Sequence, residues 1–170
     1  MTFKYCPDCG ARLSSRQLGD EGAVPWCDGC GKPWFPVFPV AVICLVRNEA
    51  GEVLLLRQEY ISKEYRNLVS GYVVPGERCE ETARREVEEE TGLRPVSVEL
   101  KGTWWFEKKQ MMMVGFFVDV LKAPLRLSTE VDDASWHTPE EAVGLVHPHS
   151  YSVSRILSEM YLESVNKEAE

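Results

Sequence analysis

Residues 71–93 read GYVVPGERCEETARREVEEETGL, and the rest of the chain is best understood outward from them. From Arg78 to Gly92 the pattern is that of a helix. Glu80 and Glu81 stand where the helix dipole favours acids, Cys79, Ala83 and Val87 make an apolar stripe, and Gly92 supplies a C-terminal stop. At the angular step of an α-helix, Glu86, Glu89 and Glu90 fall within an arc of about 100°, whereas Glu88 points the other way. Three like charges this close repel one another unless a cation neutralises them, and clustered carboxylate oxygens suit Mg²⁺ or Mn²⁺. Glu90 also borders the apolar stripe through Val87, a costly placement for an unpaired charge. The plain alternative is a solvated acidic face, which needs neither the glycines at both ends nor a pairing of Arg85 with Glu77. That pairing would tie the loop before the helix to the helix and so fix the carboxylates; an ordinary surface ion pair would hold little energy.

Before this helix, FPVFPVAVICLV (35–46) opens with prolines and continues as a β-branched run that reads as a buried strand. NEAG (48–51) is a turn, VLLLRQEY (53–60) a second strand in a hairpin with the first, and RNLVSGYVV (66–74) a third. After it, strands are expected at about 96–106, 111–121 and 133–137. Thr138 and Pro139 then cap a short helix, and a final helix is expected from about 150 to 165. The order β, β, β, α, β, β, β, α, α predicts an α+β sandwich of a mixed sheet with flanking helices.

The first 35 residues or so have no long apolar period and cannot build much of a core. They carry Cys6-Pro-Asp-Cys9-Gly10 and Cys27-Asp-Gly-Cys30-Gly31, two C-x-x-C-G units 17 residues apart. Paired thiolates on two tight turns can enclose one tetrahedral Zn²⁺, and the glycines permit the backbone such turns need. A closed four-sulfur site leaves no position for substrate and is structural. The rival readings, two disulfides or a redox pair, fit the paired spacing less well. Cys44, within VAVICLV, and Cys79 read as small buried residues. The domains expected are a zinc ribbon at 1–36, the main domain at 37–166 and a polar tail at 167–170.

With 27 Asp and Glu against 19 Lys and Arg, the net charge of −8 disfavours long nucleic acids and anionic lipids as partners. Residues 1–36 contain only four basic residues, Lys4, Arg12, Arg16 and Lys32, a thin basis for nucleic-acid binding. No apolar run approaches the roughly 20 residues that span a membrane, and the chain opens without a leader pattern, so a cytoplasmic protein is expected.

The stretch 71–93 resembles the Nudix box at its defining positions: Gly71, Glu77, Arg85-Glu86-Val87, Glu89-Glu90 and Gly92-Leu93. The resemblance extends along nearly the whole chain. The cysteine ribbon, the proline-bracketed first strand and EVDDASW (130–136) are similar to the NADH pyrophosphatase branch of that family. It implies the Nudix α/β/α sandwich and hydrolysis of a nucleoside diphosphate linked to another moiety, such as NADH, ADP-ribose or a dinucleotide. It further implies that Glu86, Glu89, Glu90 and Glu130 hold Mg²⁺ or Mn²⁺ with the Gly71 carbonyl, and that relatives' habits make a homodimer the expectation. The Ser-Gln-Pro-Trp-Pro-Phe-Pro signature of the NADH branch is replaced by GTWWFEKKQ (102–110), so specificity for NADH is not carried over. Val74 stands where many members carry an acidic residue, a departure expected to disturb ligand placement little.

In such a reaction, Glu89 or Glu130 would take the proton from the attacking water, the residues alone leaving that choice open. Arg85 and Glu77 complete the catalytic set through the loop they hold. Trp104, Trp105 and Phe106 are candidates for stacking on a base, the bland alternative being core aromatics on a strand. Two other classes of function compete: a nucleotide-sensing regulator without catalysis, and a processing enzyme for nucleotide-capped RNA. The complete glutamate set weighs against the first and the acidic charge against the second. No partner spacing assigns a role to His137, His147 or His149.

Overall fold

A run such as VAVICLV has no polar face to offer water, so both faces of its strand must be covered. In the computed structural model, which describes residues 3–168, β4 (Val40–Arg47) meets that demand. Val42, Cys44 and Val46 enter one apolar cluster and Ile43 and Leu45 another on the opposite face. The next strand, β5 (Val53–Arg57), divides likewise, Leu54 and Leu56 to the first cluster, Val53 and Leu55 to the second. Helix α1 (Cys79–Thr91) covers the first cluster through Ala83 and Val87. Helices α2 (Pro139–Leu145) and α3 (Val153–Glu168) cover the second through Ala142, Val153, Leu157 and Tyr161. The result is a three-layer α/β/α sandwich.

The sheet is completed by β6 (Val69–Tyr72), β7 (Pro95–Phe106), β8 (Met111–Val120) and β9 (Asp133–His137). Its order is β7-β8-β4-β5-β9, with β4 and β8 parallel over Val40–Arg47 and the remaining pairs antiparallel. The expected hairpin of β4 with β5 shrinks to one pair, Arg47 with Val53, because β5 takes β9 as its main partner. This frees the edge of β4 for β6, which pairs antiparallel along Ala41–Cys44. The sheet therefore forks, and Ser70 and Gly71 lie beside α1 at the fork.

Three expected boundaries are corrected. The second strand stops at Arg57, since the N–H groups of Ile61 and Ser62 fold back onto the Gln58 carbonyl in a turn. The third is confined to Val69–Tyr72, Asn67 making only an isolated bridge to Leu56. The last helix begins at Val153, after Ser152 accepts from the N–H groups of Arg155 and Ile156, and continues to Glu168. Residues 167 and 168, expected in the polar tail, are thus helical, and 169 and 170 lie outside the described residues. Thr138 and Pro139 stand at N-cap and N1 of α2 as expected, with Glu141 returning a bond to the cap. Gly92 closes α1 with a φ of 73° and donates to Glu88 O at 2.9 Å; a Cβ there would also press on Arg126.

By compactness the chain divides into two units, Met1–Phe38 and Pro39–Glu170. The first is a three-stranded antiparallel sheet of β1 (Ser14–Gln17), β2 (Ala23–Cys27) and β3 (Lys32–Pro33). Gly10 and Gly31 adopt φ of 74° and 68° and donate to Cys6 O and Cys27 O, turning the chain at each cysteine pair. Among the described residues, no helix is long and apolar enough to cross a membrane.

Candidate active site

Arg85 organises the exposed edge of α1. Its Nε and Nη2 donate to the two carboxylate oxygens of Glu77 at 2.9 and 3.1 Å, and its Nη1 donates to Glu86 at 2.7 Å and Glu89 at 3.0 Å. A further bond from Nη2 reaches the Tyr72 carbonyl at 3.3 Å, so one guanidinium holds loop, strand and helix together. The buried Thr82 hydroxyl donates to Glu77 at 2.7 Å. With Arg85 first and Thr82 second, these donors hold the Glu77 carboxyl below its ordinary range.

Deeper in, the carboxylates meet the opposite influence. Burial above all, with repulsion from Glu89 and Glu130, raises Glu86 despite its bond to Arg85. Glu90 is only 4% exposed; burial first, then the charges of Glu86 and Glu130, push it up to about 8. Its Oε1 accepts from Gln58 Nε2 at 3.2 Å, while its Oε2 is buried with no hydrogen-bond partner. Gly71 gives Glu86 its seat: a Cβ there would overlap the Glu86 carboxyl carbon and both its oxygens. Among the described residues no three of these carboxylates bring oxygens within 4.8 Å of one another; the neighbour that Glu86 and Glu89 share is Arg85.

The titration of Glu90 has a measurable consequence for stability. The folded chain binds a proton at Glu90 that the unfolded chain releases near 4.5, so stability without added divalent ions falls as pH rises from about 4.5 towards 8. Glu90→Gln removes that ionisation. Melting curves should show the variant more stable than the parent by about 1–3 kcal/mol at pH 8–9, with the gap closing towards pH 5. A constant gap across that range would contradict the assignment.

Glu86, Glu89, Glu90, Arg85 and Gly71 line one side of a cleft of about 940 Å³, and Glu130 lines it as well. Of the three aromatics expected to stack on a base, Phe106 alone reaches the cleft. Trp104 packs inward over Gly115 with the α3-side cluster. Trp105, pointing to the other face of β7, is exposed and donates from Nε1 to Glu107 at 2.7 Å. The cleft also receives side chains that no periodicity marks, because they sit on loops: Tyr60, Tyr65, His147 and Tyr151. Three of these join His149 in a column of rings, with centroids 4.8 Å apart from Tyr65 to His147, 4.6 Å from His147 to His149 and 4.9 Å from His149 to Tyr151.

In the first unit the sulfur atoms of Cys6, Cys9, Cys27 and Cys30 all lie within 4.8 Å of one another, close enough to hold one metal ion. The sulfurs of Cys9 and Cys27 are 3.5 Å apart and those of Cys6 and Cys30 3.8 Å, too far for disulfide bonds, and all four cysteines are free. Burial works against ionisation of Cys6, yet backbone donors at Cys9 and Asp8 and the neighbouring thiols bring it down to about 6. Cys44 is fully buried in the α1-side core, its thiol pushed up by burial and by Glu86 and Glu90; Cys79 is half-buried at the start of α1.

The same residues define what the chain is similar to. The family model described as the NUDIX domain matches residues 37–158. The NAD-capped RNA hydrolase NudC of Pseudomonas aeruginosa (strain LESB58) is 29% identical over 160 residues, covering 94% of this chain and 55% of that protein. The human NAD-capped RNA hydrolase NUDT12 is 25% identical over 151 residues, covering 85% of this chain and 33% of that one. The chain thus spans about half the length of the bacterial relative and a third of the human one. Among solved structures, the MutT protein of Methanosarcina mazei Go1 superposes with a TM-score of 0.60 at 30% identity, over 75% of this chain and 94% of that one. A NUDIX hydrolase from Nitrosomonas europaea, at 21% identity and a TM-score of 0.63, shares the fold over 85% of this chain and 83% of that one. Since the helix with its carboxylates, the forked sheet that seats them and the family model all fall within residues 37–158, this chain belongs to the NUDIX family, where it is similar to the NudC and NUDT12 proteins.

Proposed function

We propose that the chain hydrolyses the pyrophosphate bond of a nucleoside diphosphate linked to another moiety, of dinucleotide or ADP-ribose type, with Mg²⁺ or Mn²⁺ as cofactor. The observation that carries this reading is Glu90, a buried carboxylate with one unpartnered oxygen beside Glu86 in an acid-lined cleft. Such an oxygen is costly to bury unless a cation or donor meets it, and the donor set offers only oxygen, the preference of a hard divalent ion. Glu86, Glu89, Glu90 and Glu130 would hold the ion together with the Gly71 carbonyl. When bound, it supplies neutralisation of the phosphate charge and a lowered pKa for water.

The chain's own contributions follow from the geometry. Glu77 and Arg85 lock the loop to α1, so the carboxylates are placed before substrate arrives. Glu89 and Glu130, the less buried acids of the cleft, are the ones that would accept the proton of the attacking water. Water adds to one phosphorus, the bridging P–O bond breaks, and two phosphomonoesters leave. Phe106 and the tyrosines of the cleft offer apolar faces to a base. In the first unit, Cys6, Cys9, Cys27 and Cys30 would hold a structural Zn²⁺.

A second reading, cleavage of nucleotide-capped RNA, is supported by the names of the relatives and by Lys108 and Lys109, which line the cleft despite the acidic total. A panel of NADH, NAD, ADP-ribose, FAD, diadenosine polyphosphates and NAD-capped RNA, each with Mg²⁺, tests both. Release of two phosphomonoesters from at least one member is expected; tight binding of one with no hydrolysis of any would favour a sensor instead.

Gly71 provides a sharper check on the seat of Glu86. In Gly71→Ala the new methyl displaces a side-chain end rather than backbone, so the fold should keep its melting temperature within a few degrees. Turnover should nevertheless fall about tenfold or more, because a displaced ligand is a misplaced charge. Unchanged turnover would remove Glu86 from the machinery.

A further inference from the structure

Gln58 follows β5 and is almost wholly buried, although it carries an amide that a core position has no reason to bury. One Nε2 serves two acceptors. It donates to Glu90 Oε1 at 3.2 Å and to the Tyr60 hydroxyl at 3.4 Å, while Gln58 Oε1 and Glu90 Oε2 have no hydrogen-bond partner. Both amide hydrogens are thus engaged on one side, and turning the amide over would set its oxygen against the ionised Glu90 carboxylate, which can only accept, and lose that bond. Tyr60 is exposed and lines the cleft, so the three groups run from the cleft surface to the buried carboxylate.

The residue type is what the position requires. A leucine or methionine would fill similar volume but leave Glu90 without its side-chain donor. A lysine or arginine would cancel the charge that attracts a cation, and a glutamate would add repulsion. The neutral amide fixes the carboxylate through one oxygen and adds no charge. From this geometry we infer that Gln58 is a positioning residue, anchored by Tyr60, which holds Glu90 so that one carboxylate oxygen stays free for a divalent ion. The inference rests on the metal-dependent reading of the cleft.

The test uses the full chain, with Mn²⁺ as the probe, titrated by electron paramagnetic resonance, beside melting curves without added divalent ions. Gln58→Met should fold and bind Mn²⁺ about tenfold or more weakly, the usual effect of removing an outer partner of a metal ligand. Its kcat on the best substrate of the panel should fall at limiting Mn²⁺ and recover in excess, with KM little changed. In a Glu90→Gln background, Gln58→Met should add no further loss, because no carboxylate remains to be oriented. Tyr60→Phe, at an exposed position that does not endanger folding, should weaken Mn²⁺ binding by about two- to tenfold, the worth of one neutral hydrogen bond. A folded Gln58→Met with parental Mn²⁺ affinity, while Glu90→Gln loses it, overturns the role of Gln58 alone. Parental affinity in Glu90→Gln as well overturns the metal reading of the cleft together with this inference. Should Gln58→Met not fold, Tyr60→Phe decides: parental affinity there overturns the proposal.

Discussion

Glu89→Gln should lower kcat by about 10²–10⁴ while leaving the melting temperature nearly unchanged. The side chain is 58% exposed, and its ion pair to Arg85 Nη1 at 3.0 Å is a surface contact that contributes little to folding. Arg85 keeps its bonds to Glu77, Glu86 and the Tyr72 carbonyl, so the loop and helix remain joined. The substitution preserves shape and removes one negative charge, whether that charge serves a divalent ion or the proton of water. A single-turnover measurement with saturating Mg²⁺ and the best substrate checks it. Activity within threefold of the parent would mean that the acid edge of α1 is a solvated face after all.

Cys27→Ser should abolish zinc binding. The residue is fully buried, and its sulfur lies within 4.8 Å of the other three. A serine oxygen cannot replace a thiolate in a soft tetrahedral set. Because a unit this short has a small core, most of its folding free energy would come from the metal, on the order of 10 kcal/mol for such sites. Metal analysis should fall from about one zinc per chain to none, and limited proteolysis should cut within residues 1–36. The second unit has two apolar clusters of its own and should retain its melting transition. An unchanged zinc content would refute the four-thiolate site.

Much of this protein was legible in order along the chain. The period of Cys79, Ala83 and Val87 places α1, and the doubly buried run of β4 demands helices on both faces. The partners of β5 were not legible, since a two-period strand pairs equally well with either neighbour until the sheet is assembled. The aromatics of β7 show the same limit. Period two sets Trp105 apart from Trp104 and Phe106, but only packing over Gly115 decides that Trp104 is core and Phe106 is cleft.

What the sequence by itself determined is the local part: the helix edge that gathers Glu86, Glu89 and Glu90, its tie through Arg85 and Glu77, and the two cysteine turns. Helical and turn geometries depend on neighbours a few residues apart, so spacing suffices to read them. Tertiary structure alone decided what surrounds that edge: the fork that brings Gly71 against Glu86, the burial that lifts Glu90, and the arrival of Gln58, Tyr60 and Glu130 from distant loops. Burial and long-range electrostatics depend on which surfaces the whole fold removes from water, and no spacing along the chain encodes that.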